Sequence, residues 1–537
     1  MRNRYNKIIL LVLFLIFNFN HAAQAQLSST IGIVFNIKDF DASANDDSLD
    51  TEAINKAIQA AADQGGGTVY FPPGTYLSTS IHLQNNISLY LEAGSVIEAV
   101  HDSIAQYDLP EPNIQAGYYQ DYGHSHWQNS LIWGIGLENI SILGPGLIHG
   151  KGLNNGFDRF AKGDDGKGDP RYKDGGPGSG NKAIALKNCN NVILRDFSIL
   201  HGGHFGILAT GVDNMTIDNL KIDTNRDGMD IDACNNVRIT NCSVNSPWDD
   251  GICLKSSYGL NKIKHCQNIT ISDCFLSGNL VEGTMLDGTF QRPSPEYKSY
   301  STGRIKLGTE SNGDFKNITI TNCVFDQSRG IAIESVDGSH IEDISISNIT
   351  MRGVDNSPIF IRLGSRLRGP DKPTVGTIKR INIDNMVISN EDWTAAKAFT
   401  ISGIPGHYVE DIKLSNIYAH YEGGGSNEDN DLVPTENKGD YPEPGMFGAL
   451  PSYGFYIRHA KSIEMSHIKL DYTGKEARSA FVLKDVEDAY FDYLHIKKGT
   501  TSKASTFDLR EVSDFRISNS RNVKDFEIKE LTKRKKI

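Results

Sequence analysis

The chain has 537 residues, enough for one large domain or two to four ordinary ones. With 39% hydrophobic and 22% charged residues it reads as a folded, soluble protein, which excludes wholesale disorder. A formal charge of −12 repels polyanions, so nucleic acid is excluded as a partner and any acidic ligand would need local Arg or Lys.

The first 25 residues predict a signal peptide. Arg2, Arg4 and Lys7 form a basic start, Ile8 to Phe19 is an apolar run too short to span a bilayer comfortably, and Ala23-Gln24-Ala25 offers a small-x-small cleavage site. No Cys follows that site, and no later apolar run reaches membrane length. The mature chain, residues 26–537, is expected to be exported to the periplasm or beyond, without a membrane span and as a monomer.

Residues 30–80 predict an N-terminal cap. Asp50 is the candidate N-cap of a helix running through Thr51-Glu52-Ala53 to the Ala60-Ala61-Ala62 run. Gly65-Gly66-Gly67 ends it, and strands begin at Thr68 and continue to Tyr76. The glycine triplet follows a helix instead of opening one, so it reads as a turn and not as a phosphate loop.

From there a repeat dominates. Asn139-Ile140, Asn191-Val192, Asn214-Met215, Asn236-Val237, Asn268-Ile269 and Asn317-Ile318 each open a short apolar–polar–apolar strand. The phrase continues at Asp343, Asp411, Ser462, Asp488 and Asp514. Asn191, Asn214 and Asn236 are 23 and 22 residues apart. Such periods mean a solenoid, and strands without a helical pattern make it an all-β parallel β-helix. Residues 154–180, 278–303 and 422–452 interrupt the repeat as inserted loops, of the kind that wall a binding site on a rigid scaffold. The basic tail, residues 525–537, reads as solvated charge.

All seven cysteines (189, 234, 242, 253, 266, 274 and 323) fall inside the repeat. An odd number, several of them just before an apolar strand residue, predicts small buried hydrophobes and not a disulfide framework. No Cys-x2-Cys pair is present, so zinc ligation is not predicted, and no metal or cofactor is expected.

The stretch Thr224 to Ser257 carries the chemistry. Asp227 precedes the pair Asp249–Asp250 by 22 residues, which is also the local repeat period. If each period is one coil, Asp227 and Asp249 occupy equivalent places on coils about 4.8 Å apart, and three carboxylates converge. Crowded carboxylates raise one another's proton affinity, which is the requirement for acid/base work. The plainer reading is that aspartates in coil turns accept backbone N–H bonds.

At this window the chain resembles glycoside hydrolase family 28, the polygalacturonase and rhamnogalacturonase family. Asn225-Arg226-Asp227-Gly228 matches its Asn-Thr-Asp-Gly motif, and Trp248-Asp249-Asp250 matches its Gly-Asp-Asp motif. Gly251 to Lys255, Lys38-Asp39-Phe40, Pro72 to Tyr76 and Gly144-Pro145-Gly146 to Gly150 resemble it too. The likeness covers roughly residues 30 to 350. It implies a single-stranded right-handed parallel β-helix that hydrolyses glycosidic bonds with inversion. It makes Asp249 the general acid, with Asp227 and Asp250 activating water.

Two departures from the family pattern qualify the substrate. Thr302, in Ser301-Thr302-Gly303, stands where the family has a histidine. Ala332-Ile333-Glu334 stands where it has Arg-Ile-Lys. An Arg-Ile-Lys does occur at Arg304-Ile305-Lys306, one turn early. These departures argue against plain endo-cleavage of homogalacturonan and for an exo-acting galacturonidase or a rhamnogalacturonan hydrolase. Candidate substrate contacts are Arg226, His204, Trp248, Lys255, Arg304, Lys306 and Glu310, with His201, Arg362 and Arg366 as softer candidates. The expected partner is a pectic polysaccharide or oligosaccharide. Two rivals remain: a polysaccharide lyase with the acid trio as a calcium site, and a non-enzymatic carbohydrate-binding β-helix.

Overall fold

The computed structural model describes residues 33–154, 178–279, 283–289, 301–390 and 397–537. The predicted leader, and most of the loops at 154–180 and 278–303, lie outside them.

The repeat phrases become coils. A representative turn has strands Phe205–Thr210, Asp213–Asp218 and Lys221–Asp223, which pair in parallel with Asp227–Asp232, Asn235–Thr240 and Ser243–Asn245 of the next turn. Inward-facing residues stack in register from coil to coil. One column runs Ile207, Met229, Ile252, Ile305, Ile331 and Ile359, all buried. Near the C-terminus Phe399, Phe455, Phe481 and Phe507 stack with ring centroids 4.5–5.2 Å apart. The seven cysteines are buried and free, as small core residues.

The structure explains why the phrase starts with Asn or Asp. Asn139, Asn191, Asn214, Asn236, Asn268 and Asn317 all have φ between 53° and 58°, the left-handed corner where one strand turns into the next. Asp343, Asp411, Ser462, Asp488 and Asp514 share that conformation. Asn and Asp tolerate it better than other non-glycine residues because their short polar side chains bond locally. Here they also bond each other: Asn191 donates to Asn139, Asn214 to Asn191 and Asn236 to Asn214, at 3.0–3.3 Å.

Both ends are closed. The helix Thr51–Asp63 lays Ala53, Ile54, Ala57, Ile58 and Ala61 against the first coil. Burying Ile54 and Ile58 contributes on the order of 2 kcal/mol each. Asp50 stands at the N-cap position without capping the helix; its carboxylate instead accepts from the backbone N–H groups of Ser43 (2.7 Å) and Leu77 (3.1 Å), tying the cap to the coil. The basic tail is not free charge. Phe526–Leu531 and Lys535–Lys536 pair antiparallel with Phe507–Ser518, covering the last parallel edge. Arg534 closes on Asp508 and Asp431 at 2.7 Å each.

The loop at 422–452 is a strap. Arg362, Arg458 and Arg510 share one outward column on every second coil, with Ser402 and Lys484 on the coils between. Each guanidinium donates to backbone carbonyls of the strap: Arg510 to Asn430 and Leu432, Arg458 to Pro434 and Thr435, Arg362 to Glu436 and Asn437, at 2.7–3.2 Å. The strap therefore runs back along the solenoid, from the C-terminal coils toward the coil that carries Arg304.

Candidate active site

Asp227 opens the strand Asp227–Asp232, and Asp250 lies just before the strand Ile252–Ser256. Met229 pairs with Ile252, and Gly228 N–H donates to the Asp250 carbonyl at 3.0 Å. The coil partner of Asp227 is therefore Asp250, and Asp249 sits one residue earlier, in the turn. This corrects the expectation that Asp227 and Asp249 are equivalent. The convergence itself holds: one carboxylate oxygen from each of Asp227, Asp249 and Asp250 lies within 4.8 Å of the others.

The three environments differ. Asp227 is buried, and that burial, with Asp230 and Asp249 nearby, pushes its carboxyl well above the usual range. Asp250 is also buried, which opposes ionisation, but Arg304 and Lys306 overcome this and hold it well below the usual range. Arg304 Nε donates to Asp250 Oδ1 at 2.6 Å and Lys306 Nζ to Oδ2 at 2.7 Å. Asp249 is the member nearest solvent, 24% exposed, and accepts from Arg226 Nη2 at 2.7 Å.

Arg304 and Lys306 are thus buried clamps on Asp250 and not solvated charges. The strap engages their other sides. Glu443 accepts from Arg304 Nη2 at 2.5 Å and Arg329 Nη1 at 3.4 Å, and the Tyr441 hydroxyl bonds Lys306 Nζ at 3.2 Å. One coil on, Lys306 faces Ala332, and Glu334 follows on that strand. Glu334 is fully buried, and among the described residues neither carboxyl oxygen has a hydrogen-bond partner. Burial pushes it up to about 8, despite the pull of Lys306 and Arg304. At neutral pH this is a neutral carboxylic acid beside a pair of cations.

Lys255 and Glu310 belong to a second buried network on the other side of the trio. Lys255 Nζ reaches Asp230 Oδ2 at 2.9 Å and Glu310 Oε2 at 3.4 Å, and bonds His124 Nε2. Glu310 also accepts from Arg368 Nη2 at 2.9 Å. The two predicted histidines part company. His204 packs its ring on Phe205 and near His124, whereas His201 faces His149. Burial, and then Arg226, push His204 well below its usual value, so it is neutral. Trp248 is half-buried beside the acids, its backbone N–H on the Asn225 carbonyl at 3.0 Å. Thr302 is buried, with its N–H on the Pro247 carbonyl. Arg366 pairs with Asp337, and Arg362 holds the strap.

Six participants were not singled out from the sequence: His124, Asp230, Arg329, Arg368, Tyr441 and Glu443. The proline-rich composition of 422–452 marked an extended loop, but nothing in it marked Glu443. A signal for the strap's anchors did exist, in the recurring apolar-Arg phrases Ile361-Arg362, Ile457-Arg458 and Leu509-Arg510.

Two family profiles match the chain. "Rhamnogalacturonase A/epimerase, pectate lyase-like" covers residues 34–132, and "Right handed beta helix region" covers 174–289. A "Probable polygalacturonase" from Vitis vinifera is 24% identical over 399 residues, covering 71% of this chain and 73% of that protein. The chain is a glycoside hydrolase that resembles family 28 and the pectin-lyase-like proteins. Among solved structures, the Yersinia enterocolitica family 28 exopolygalacturonase superimposes with a TM-score of 0.60 at 17% identity, over 84% of this chain and 78% of that one. The tailspike of E. coli bacteriophage HK620, solved with a pentasaccharide, gives 0.52 at 10% identity over 90% and 77%. Those two likenesses establish the right-handed parallel β-helix fold and nothing finer.

Proposed function

We propose that this glycoside hydrolase is exo-acting and inverting. Its substrate would be α-linked units at the end of a pectic, uronic-acid-containing chain, with galacturonidase or rhamnogalacturonan hydrolase activity. The observation that carries the reading is the aspartate trio: three carboxylates within 4.8 Å, one held ionised by two cations and one whose proton affinity is raised by burial. Paired environments that push carboxyl groups apart in proton affinity are how an acid and a base coexist in one site. The pectic substrate is supported by the polygalacturonase name of the plant relative.

In this reading Asp249, the exposed member, protonates the glycosidic oxygen, and Asp250 with Asp227 activates water. Burial favours the protonated form of Asp227, and in this reading a proton passes from it to Asp249 as the sugar displaces solvent. Arg226, His204 and Trp248 are the contacts with the sugar. Arg304 and Lys306 are positioning residues that act through Asp250, and Lys255 and Glu310 brace the neighbouring coil. The strap supports exo action, because Tyr441 and Glu443 stand on the C-terminal side of the trio where a longer chain would pass.

The close spacing favours one alternative outcome. Inverting enzymes generally hold their carboxyls about 6.5–9.5 Å apart, and retaining ones about 5–5.5 Å. Inversion here rests on the family resemblance, and proton NMR of the first-formed anomer decides it. The lyase reading is disfavoured by Arg304 and Lys306, which occupy both Asp250 oxygens and repel a cation. Incubation with defined pectic oligosaccharides should release one sugar per event from wild type and none from Asp249→Asn. Absence of new reducing ends on every substrate would sink the hydrolase reading. A product absorbing as an unsaturated uronide, abolished by chelator, would replace it with a lyase.

Export rests on the sequence of residues 1–25, outside the described residues. Among the described residues no helix is long and apolar enough to cross a membrane. Sequencing the N-terminus of protein recovered outside the cytoplasm should return Gln26.

A further inference from the structure

A hollow of about 640 Å³ opens on the N-terminal coils, away from the trio, lined by His82, Asp108, Leu109, Gln128, Trp133 and Ile135 among others. Its size falls in the range of small-molecule sites, and its lining is mixed apolar and polar. One wall is a built aromatic platform. Trp133 and His82 face each other with ring centroids 5.0 Å apart. Asp108 fixes both, its Oδ2 accepting from Trp133 Nε1 at 2.8 Å and bonding His82 Nε2 at 2.6 Å. Asp108 is itself seated by its N–H bond to Ser80 Oγ at 3.0 Å. The platform is therefore rigid, yet open: the Asp108 side chain is 38% exposed, and Leu109 at the mouth is 63% exposed.

The hollow lies on the same sheet as the aspartates. His82 pairs with Trp133, Trp133 with Ala185, Ala185 with Leu208 and Leu208 with Asp230, on the strand that Asp227 opens. Trp133 is thus three coils before that strand, about 14 Å at the usual strand spacing. Trp127 packs with Ala185 and Leu208 over the intervening coils, which makes the hollow a separate site and not an extension of the cleft.

We propose that this hollow binds a neutral pyranose of the polysaccharide, its ring face stacked on Trp133 and its hydroxyls bonded to Asp108 and Gln128. The assignment to a sugar rests on the proposed polysaccharide substrate; the assignment to a neutral one rests on charge. Among the described residues no Lys or Arg lines the hollow, whereas Asp108 does. Burial opposes ionisation of Asp108, but the bonds from His82 and Trp133 overcome it and keep the carboxyl below its usual value. A uronate would meet that charge with no Lys or Arg among the described lining residues to offset it. A neutral ring meets an aromatic face for its apolar C–H groups and an acceptor for its hydroxyls. The site would hold methyl-esterified or neutral stretches of a chain while its end is processed at the trio.

Affinity gel electrophoresis of the full chain in the Asp249→Asn background tests this without turnover, in gels containing methyl-esterified homogalacturonan, the same polymer de-esterified, or a neutral galactan. Retardation by the esterified polymer or galactan should exceed that by the de-esterified polymer at least fivefold. Trp133→Ala should abolish it. Leu109→Asp, at an exposed position that threatens no packing, should weaken it severalfold, and Asp108→Asn should admit the de-esterified polymer. Retardation by neither neutral polymer, stronger retardation by the acidic one, or retardation unchanged in Leu109→Asp and Trp133→Ala would overturn the site. Hydrolysis of short oligosaccharides by otherwise wild-type Trp133→Ala is read separately. It should be unchanged, and its absence in wild type as well would indict the proposed activity and not the hollow.

Discussion

Arg304 Nε donates to Asp250 Oδ1 at 2.6 Å, from the coil that follows the acid pair. With Lys306 on the other oxygen, the carboxylate is held in one orientation and in its ionised form at the floor of the site. The family's basic motif falls one coil later. Here the same residue types stand a coil early, and they serve the protein's own carboxylate.

Replacing Arg304 with Gln leaves a buried carboxylate and Glu443 short of a partner. Breaking a buried pair from one side costs about 3–5 kcal/mol. Because the folded Asp250 carboxyl is depressed, its contribution to stability is present above its unfolded value near pH 4 and is lost as pH falls below that. Urea denaturation from pH 3 to 7 should show wild type gaining stability with pH more steeply than Arg304→Gln. Equal slopes would mean that the clamp does not set the ionisation of Asp250.

Asp249→Asn and Asp227→Asn should each lower kcat by about 10²–10⁴ if they act as acid and base, with unchanged circular dichroism. Asp227→Asn carries a second signature. Its folded carboxyl is raised, so wild type loses stability as pH climbs from the unfolded value through the folded one, and the amide does not. The variant should therefore melt higher than wild type near neutral pH and equal to it near pH 3.

Glu334 makes a sharper pH probe. With a folded value of about 8 against an ordinary one of 4.5, it contributes stability below pH 4.5 that is lost progressively up to pH 8. Glu334→Gln should match wild type at pH 4 and exceed it by a few kcal/mol at pH 9. A constant difference between the two proteins over that range would show that Glu334 does not change ionisation on unfolding.

If the strap enforces the proposed exo action, clearing it should lengthen the products. Glu443→Ala removes the carboxylate that bridges Arg304 and Arg329, and Tyr441→Ala with it clears the path past Lys306. In the double variant the products resolved by anion-exchange chromatography should shift from monomers toward dimers and longer oligosaccharides. Overall rate should fall no more than about tenfold, since neither residue touches the trio. Monomers alone from the double variant would place the exo constraint elsewhere.

Much of this protein was determined by local chemistry and is legible in the sequence. Asn, Asp and Ser at the start of each phrase sit in the left-handed corner because backbone sterics permit few other residues there, so their period is the coil period. Alternating Ile and Val make the core column for the same local reason. The gathering of Asp227, Asp249 and Asp250 followed from that period, although a one-residue turn offset made Asp250 and not Asp249 the stacked partner. What only the tertiary structure decided is which partners the charged side chains find. Arg304 with Glu443, Arg362 with the Glu436 carbonyl, and Asp108 with Trp133 are 139, 74 and 25 residues apart. No local propensity encodes such pairings, because a strap or loop chooses its partners by where it crosses the coils. The acids are written in the repeat; their ionisation is set by residues the repeat does not index.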